Sequence, residues 1–200
     1  PRARPGSWGI LGHPMSTGNL PEASKGVDRD EEQALIGRAR EGDEEAFLAL
    51  YRAHSPRVFR LLWAMLRDRH QAEDTTQEVF VKVHGRLGAF RGESRFSTWV
   101  YRIAVNAGLD LKRHEALRRF LPLFSPEVPE PRAPEKPEEG PIPEALWKEL
   151  TASQRAVVEL RVVQELSTAE TAEALGVSEG TIKTQLHRSL AKLRKALEGQ

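Results

Sequence analysis

The chain has 200 residues, a formal net charge of +1 and no cysteine, which excludes disulfide frameworks, thiolate nucleophiles and cysteine zinc sites. Hydrophobic residues make up 39% and charged residues 30%, and mean hydropathy is -0.52. That is a globular balance, with no apolar run long enough to cross a bilayer. The sequence opens without the apolar core of a secretory signal, so a cytoplasmic location without membrane insertion is expected.

Apolar residues recur at spacings of three and four, and no segment alternates as a strand would. Residues 1–29 are rich in Gly, Pro and Ser and are expected to be flexible, with Met15 a candidate natural start. Helices are predicted near 30–41, 43–54, 56–68, 71–87 and 96–119, then 143–150, 152–164, 168–175 and 178–197. Asp28, Asp43 and Ser178 are the expected N-caps, and Gly42, Gly88 and Gly176 the expected stops. The fold class is all-α, with two small helical domains (30–119 and 144–200) joined by a Pro/Glu-rich linker over 120–143. Eight of the 13 prolines and five glutamates fall in that linker. Such a run cannot fold alone, and at about 3.1 Å per residue it reaches about 70 Å.

The net charge hides a segregation. Residues 180–197 carry five basic residues and no acidic one, and residues 90–119 carry seven basic against three acidic. Two helices of the first domain have faces of unlike chemistry. In 72–87, Ala72, Val79, Val83 and Leu87 share the inner face, while Asp74, Gln77, Glu78 and Val81 gather on the outer one. An acidic, amide-bearing face centred on an apolar residue resembles a protein-docking surface, with a merely solvated face as the plainer alternative. After a Gly-containing loop, Phe96, Val100, Ile103, Ala107 and Leu111 form an inner stripe. Thr98, Arg102, Asn106 and Arg113 form the outer one, with Trp99 at the boundary. Aromatic residues beside Arg and Asn suit unpaired bases. Phe96 and Trp99 are expected to be mostly packed, supporting a base pocket more than forming it.

Near the C-terminus, TAETAEALGVSEGTIKTQLH (168–187) has the mechanics of a helix-turn-helix. Ala172 is small where two helices approach, and Gly176 admits the positive φ of the turn. Ile182 opens a core stripe continued by Leu186, Leu190, Leu193 and Leu197. Across the helix lie Thr181, Thr184, Arg188 and Lys195, flanked by His187 and Lys192. Thr181, Lys183 and Thr184 suit base edges, while Arg188 and Lys192 suit phosphates. Many regulators share this motif, including dimeric ones with an N-terminal sensor domain. An enzyme is not expected: there is no Gly-rich phosphate loop, metal-spaced histidine cluster or nucleophile motif. His54, His70, His84 and His114 are scattered and read as surface residues, and no metal or cofactor is expected.

Three blocks in order, DTTQEVFVKV, FRGESRFSTWVYRIAVN and LTASQRAVVELRVVQELSTAETAEALGVSEGTIKTQLHRSLAKLR, resemble the extracytoplasmic-function (ECF) sigma factors of RNA polymerase. The resemblance spans about Glu31 to Leu197. It implies that 30–119 is sigma region 2, that Asp74, Gln77 and Glu78 (with Val81 among them) dock on core RNA polymerase, and that the chain is a sigma factor. It implies that the segment holding Arg95, Phe96, Ser97, Thr98, Trp99, Arg102 and Asn106 captures a flipped-out base of the promoter minus-10 element. It implies that region 4, through Ser178, Thr181, Lys183, Thr184, His187 and Arg188, reads the minus-35 element as duplex DNA. Two such elements about 17 base pairs apart are separated by about 58 Å, within the linker's reach. An anti-sigma factor is the further partner implied. The long proline-dense linker, and His187 where an aromatic or aliphatic residue is common, depart from the family pattern.

Overall fold

The computed structural model describes residues 28–120 and 142–198. The expected flexible N-terminal segment and nearly all of the expected linker fall outside them. The described residues are helical, without a strand. α1 (Arg29–Arg40), α2 (Glu44–Leu66), α3 (Arg69–Arg86) and α4 (Phe96–Phe120) form the first group. α5 (Glu144–Trp147), α6 (Ala152–Val158), α7 (Thr168–Leu175) and α8 (Glu179–Glu198) form the second.

The caps are in part those expected. Asp43 accepts from the backbone N–H of Glu45 and Ala46, and Ser178 from that of Thr181. Gly42 and Gly176 take positive φ at the ends of α1 and α7. Asp28 precedes α1 without a side-chain hydrogen bond, and Gly88 sits inside a 3-10 turn (Leu87–Ala89) rather than ending a helix. Three caps went unexpected: Asp68 on α3, and the reciprocal capping boxes Thr151/Gln154 on α6 and Ser167/Glu170 on α7.

Two expected helices, 43–54 and 56–68, are one. Pro56 lies inside α2. A proline there removes one ladder hydrogen bond, but the apolar face keeps its phase across it. Leu50, His54, Val58, Leu61, Leu62 and Met65 are all buried on that face. His54 is therefore not a surface residue: its ring meets Phe96 edge-on at 5.1 Å, and Nε2 lies 3.0 Å from Glu32 Oε1. His70, His84 and His114 are exposed as expected.

The first core gathers Leu50, Val58, Leu61, Val79, Val83, Phe96 and Val100 from α2, α3 and α4. It does not stop at the first group. Ala156, Leu160 and Ala174 belong to the same cluster, and Ala64 of α2 packs with Leu146, Trp147, Leu150, Val158 and Leu193. The two helical groups are thus packed on each other, α6 and α7 lying against α2 and α4.

Their seam is polar as well as apolar. Tyr101 Oη donates to Gln164 Oε1 at 2.7 Å, while Gln164 Nε2 donates to the Arg57 carbonyl and to Glu159 Oε1, each at 3.1 Å. Arg155 donates to the carbonyls of Trp147 and Met65, at 2.8 and 3.3 Å. Arg67, in the left-handed region at φ 57°, lays its guanidinium over Trp63 and Trp147. Burial pushes the Tyr101 phenol up to about 12 and raises the Glu159 carboxyl, and it draws Arg67 down to about 10, helped by the nearby Arg155. Gln164 reaches this position because α6 runs on into a π turn, Glu159–Val163, closed by the Gln164 N–H to the Glu159 carbonyl at 2.9 Å.

Candidate nucleic-acid interface

α3 presents its outer face as expected. Ala72, Val79, Val83 and Leu87 are buried, while Asp74, Gln77, Glu78 and Val81 are exposed, Val81 at 57%. Thr76 secures the inner side by donating to the Ala72 carbonyl at 2.6 Å. Among the described residues Glu78 is engaged only by Lys82, at 3.9 Å between exposed groups, so the face remains available to a partner.

The second surface is built where the loop 90–95 meets α4. Phe90, Phe96 and Trp99 form an aromatic cluster with ring centroids 5.3 to 5.8 Å apart, the two phenylalanines edge-to-face and Trp99 tilted against both. Arg40 holds the loop base by donating to the carbonyls of Leu87 and Phe90. Phe96 is fully buried and Trp99 half-buried, so Phe96 supports the surface and Trp99 edges it. A cleft of about 220 Å³ opens beside them, lined by Phe90, Arg91, Thr98, Trp99, Arg102 and, from α7, Glu173. Sequence reasoning named neither Phe90 nor Arg91 nor Glu173. The dense aromatic spacing at 90, 96 and 99 was the available signal for Phe90. For Glu173 there was none, because it comes from the other helical group.

Arg102, Asn106 and Arg113 share the exposed stripe of α4, Arg95 is exposed just before its first turn, and Ser97 is half-buried. Arg113 is paired with Asp110 at 2.6 Å. Arg95 is paired with Glu170 of α7 at 3.1 Å. Glu170 is held below the usual carboxylate range, first by its hydrogen bond to Ser167 and with help from Arg95. Thr98, expected on the outer stripe, is buried at 1% exposure. The reason is that α4 is covered on two flanks. Thr98 lies on the flank of Tyr101 and Val105, which faces α6 and α7, so only an arc about Arg95, Arg102, Asn106 and Arg113 is left in water.

The third surface is α8. Ser178 and Thr181 engage each other at 2.9 Å between hydroxyls, and Ser178 also caps the helix. Lys183, Thr184, His187, Arg188 and Lys192 are exposed. Lys192 is partly occupied, donating to Gln154 Oε1 at 3.2 Å and to the Glu149 carbonyl at 3.4 Å. Behind them the stripe is narrower than expected. Ile182 and Leu193 are buried and Leu186 is half-buried, but Leu190 and Leu197 are exposed at 41% and 58%. The buried face includes Ser189, whose hydroxyl donates to the Gln185 carbonyl at 2.8 Å. Ala172 and Val157 pack on Ile182, closing the helix-turn-helix.

Models of protein families match both halves of this arrangement. Sigma-70 region 2 matches residues 50–118, and Sigma-70, region 4 matches residues 144–193. The ECF RNA polymerase sigma factor SigW of Bacillus subtilis (strain 168) is 31% identical over 177 residues, covering 81% of this chain and 94% of that protein. The chain belongs to the ECF RNA polymerase sigma factors. SigX of the same organism, also an ECF sigma factor, is 34% identical over 165 residues, covering 78% of this sigma factor and 85% of SigX. A solved structure of CnrH in complex with the cytosolic domain of CnrY has a TM-score of 0.63 at 22% identity, covering 86% of this chain and 99% of that one. The sigma factor RpoE, in complex with the anti-sigma factor NepR from Bartonella quintana, has 0.62 at 22%, covering 76% and 96%. Both likenesses establish the shared fold. The sigma factor accordingly acts in transcription initiation, in a family whose members are not enzymes.

Proposed function

We propose that this sigma factor binds core RNA polymerase through Asp74, Gln77, Glu78 and Val81, and carries it to promoters read at two sites. The minus-35 element enters as duplex against α8. Its Lys183, Thr184 and His187 face base edges, and Arg188 faces phosphate. The minus-10 element enters as a single strand at the Trp99–Arg102–Asn106 arc. An unstacked base trades a few kcal/mol of unstacking against stacking and hydrogen bonds there. Melting is then a matter of trapping, and the protein needs no catalytic group of its own. The observation that carries this reading is the presence on one chain of an aromatic and cationic cleft at α4 and an exposed basic face on the second helix of a helix-turn-helix.

An anti-sigma partner that restrains the factor belongs to the same reading, as the sigma factor RpoE above is in complex with the anti-sigma factor NepR. The site of action is the cytoplasm, where promoter DNA lies. The test is run-off transcription by core polymerase from the same organism, with and without this chain, on a library of that organism's promoter fragments. Transcripts that require the chain are expected. Their absence, with the chain bound to core, would overturn promoter recognition.

A further inference from the structure

The loop that brings Phe90 and Arg91 to the cleft has little of its own to hold it. Among the described residues the backbone of 91–94 makes no hydrogen bond to other backbone, and Gly92 stands in the left-handed region at φ 75°. The loop is therefore placed by its two ends. At the far end Phe96 is fixed in the first core. At the near end α3 and its 3-10 turn finish with carbonyls that have no helical partner. Arg40, the last residue of α1, supplies one. Its Nε donates to the Leu87 carbonyl at 3.2 Å, its Nη2 donates to the Phe90 carbonyl, and its guanidinium lies 5.9 Å from the centre of the Phe90 ring. The Leu87 carbonyl also accepts from the Phe90 N–H at 3.2 Å, so the root of the loop is tied from both sides. A planar guanidinium can grip two carbonyls at once, whereas an ammonium is a single point of charge. The grip has a firm base, because Ile36 and Ala39 bury α1 in the same core. From the other end of α1, Glu32 meets His54, whose ring packs on Phe96.

We propose that Arg40 is a positioning residue for minus-10 capture, holding Phe90 and the loop behind it where an unstacked base can enter. The inference rests on the reading of the α4 cleft as the minus-10 site. Arg40 is not among the residues that line the cleft, so it acts through Phe90 and not by touching DNA. Phe90 in turn packs on Phe96 and Trp99, and Arg91, Glu93 and Ser94 follow it along the cleft wall. A site whose competent form is only partly populated has its apparent affinity reduced by that fraction. A freed loop that keeps the capturing position in about a tenth of molecules thus binds about tenfold more weakly.

The chain has no cysteine, so Ser94→Cys gives a unique site for a nitroxide that reports motion of the loop in the full chain. Three variants are compared with the parent. Arg40→Met keeps the stem and removes every donor. Arg40→Lys keeps the charge and can reach one carbonyl. Arg38→Met removes a charge from the same helix at the surface, where Arg38 pairs with Asp43. DNA binding is measured on unlabelled chains assembled with core polymerase, above the level of core alone. The probes are a dye-labelled random-sequence single strand of about 20 nucleotides and a random-sequence duplex of about 25 base pairs. Arg40→Met is expected to mobilise the nitroxide and to lower single-strand affinity about tenfold, with duplex affinity no more changed than in Arg38→Met. Arg40→Lys is expected to fall between Arg40→Met and the parent. A nitroxide as immobile in Arg40→Met as in the parent overturns the proposal. So does a mobilised loop with unchanged single-strand affinity. Arg40→Lys indistinguishable from the parent shows charge alone, and equal losses on single strand and duplex show a general loss of folding; either overturns it. If the parent assembly binds the single strand no better than core alone while the label still loosens in Arg40→Met, it is the minus-10 reading that fails, and the proposal falls with it.

Discussion

Arg188 and Lys192 look equivalent as cations on the outer face of α8, but their surroundings divide them. Arg188 is exposed and makes no ion pair among the described residues, whereas the Lys192 ammonium is already shared with Gln154 and the Glu149 carbonyl. A phosphate contact contributes about 0.9 to the slope of log affinity against log salt. Arg188→Ala should lower the slope by about that amount, so that a fourfold rise in salt costs the variant about 3.5-fold less affinity than the parent. Lys192→Ala should change it by less than half as much, because part of its donor capacity is spent inside the protein. Phosphate contacts carry no sequence information, so a random-sequence duplex of about 25 base pairs serves for anisotropy titrations at several salt concentrations. Both side chains are at the surface, so folding stability should change by no more than about 0.5 kcal/mol, checked by circular dichroism. An unchanged slope for Arg188→Ala, or a Lys192→Ala effect as large as that of Arg188→Ala, would refute this account of the α8 face.

Three other outcomes are expected. Gln77→Ala with Glu78→Ala should reduce co-purification with core polymerase while leaving helicity intact, because both side chains project from α3 into water. Removing 12 of the 24 residues of 120–143 leaves a reach of about 37 Å against about 58 Å between elements, so open-complex formation on one promoter should collapse. Replacing the linker prolines with Gly and Ser should lower it only modestly. Glu159 has its carboxyl raised by burial above the ordinary 4.5, so the folded state holds a proton that the unfolded state has lost. Stability is therefore lost as pH rises from the ordinary value through the folded one, and Glu159→Gln should flatten that decline in urea titrations at pH 5 and pH 7. An equal pH slope in parent and variant would show that Glu159 is not the group responsible.

What the sequence made legible was local. The helix-turn-helix spacing of Ala172, Gly176 and Ile182, the unlike faces of α3 and the aromatic–arginine mixture of α4 are each written within one helix or one turn. What escaped was set by partners far along the chain. Thr98 was placed outside because the alternation of α4 was read against one core, when a second helical group covers its Tyr101 and Val105 flank. Those two apolar residues on a supposedly wet side were the available sign. The expected break between 54 and 56 is absent, and the unchanged phase of Leu50, His54 and Val58 across Pro56 was the available signal. Leu190 and Leu197 continued an apolar spacing of three and four, but they lie off the face on which Leu193 and Ala196 pack against α5 and α6.

The π turn at the end of α6 has a consequence for how relatives of this chain vary. A π turn amounts to one residue inserted into an α-helix, and each residue turns the helix face by about 100°. Loss of a single residue here, such as the exposed Val162, would restore α-helical winding and swing position 164 away from Tyr101 and the Arg57 carbonyl. The deletion would remove none of the side chains proposed to face DNA or polymerase, yet it would release the grip of one helical group on the other. Chains of this kind that differ by one residue between Thr151 and Ser167 are thus expected to sort into tightly and loosely coupled forms, with unaltered promoter preference.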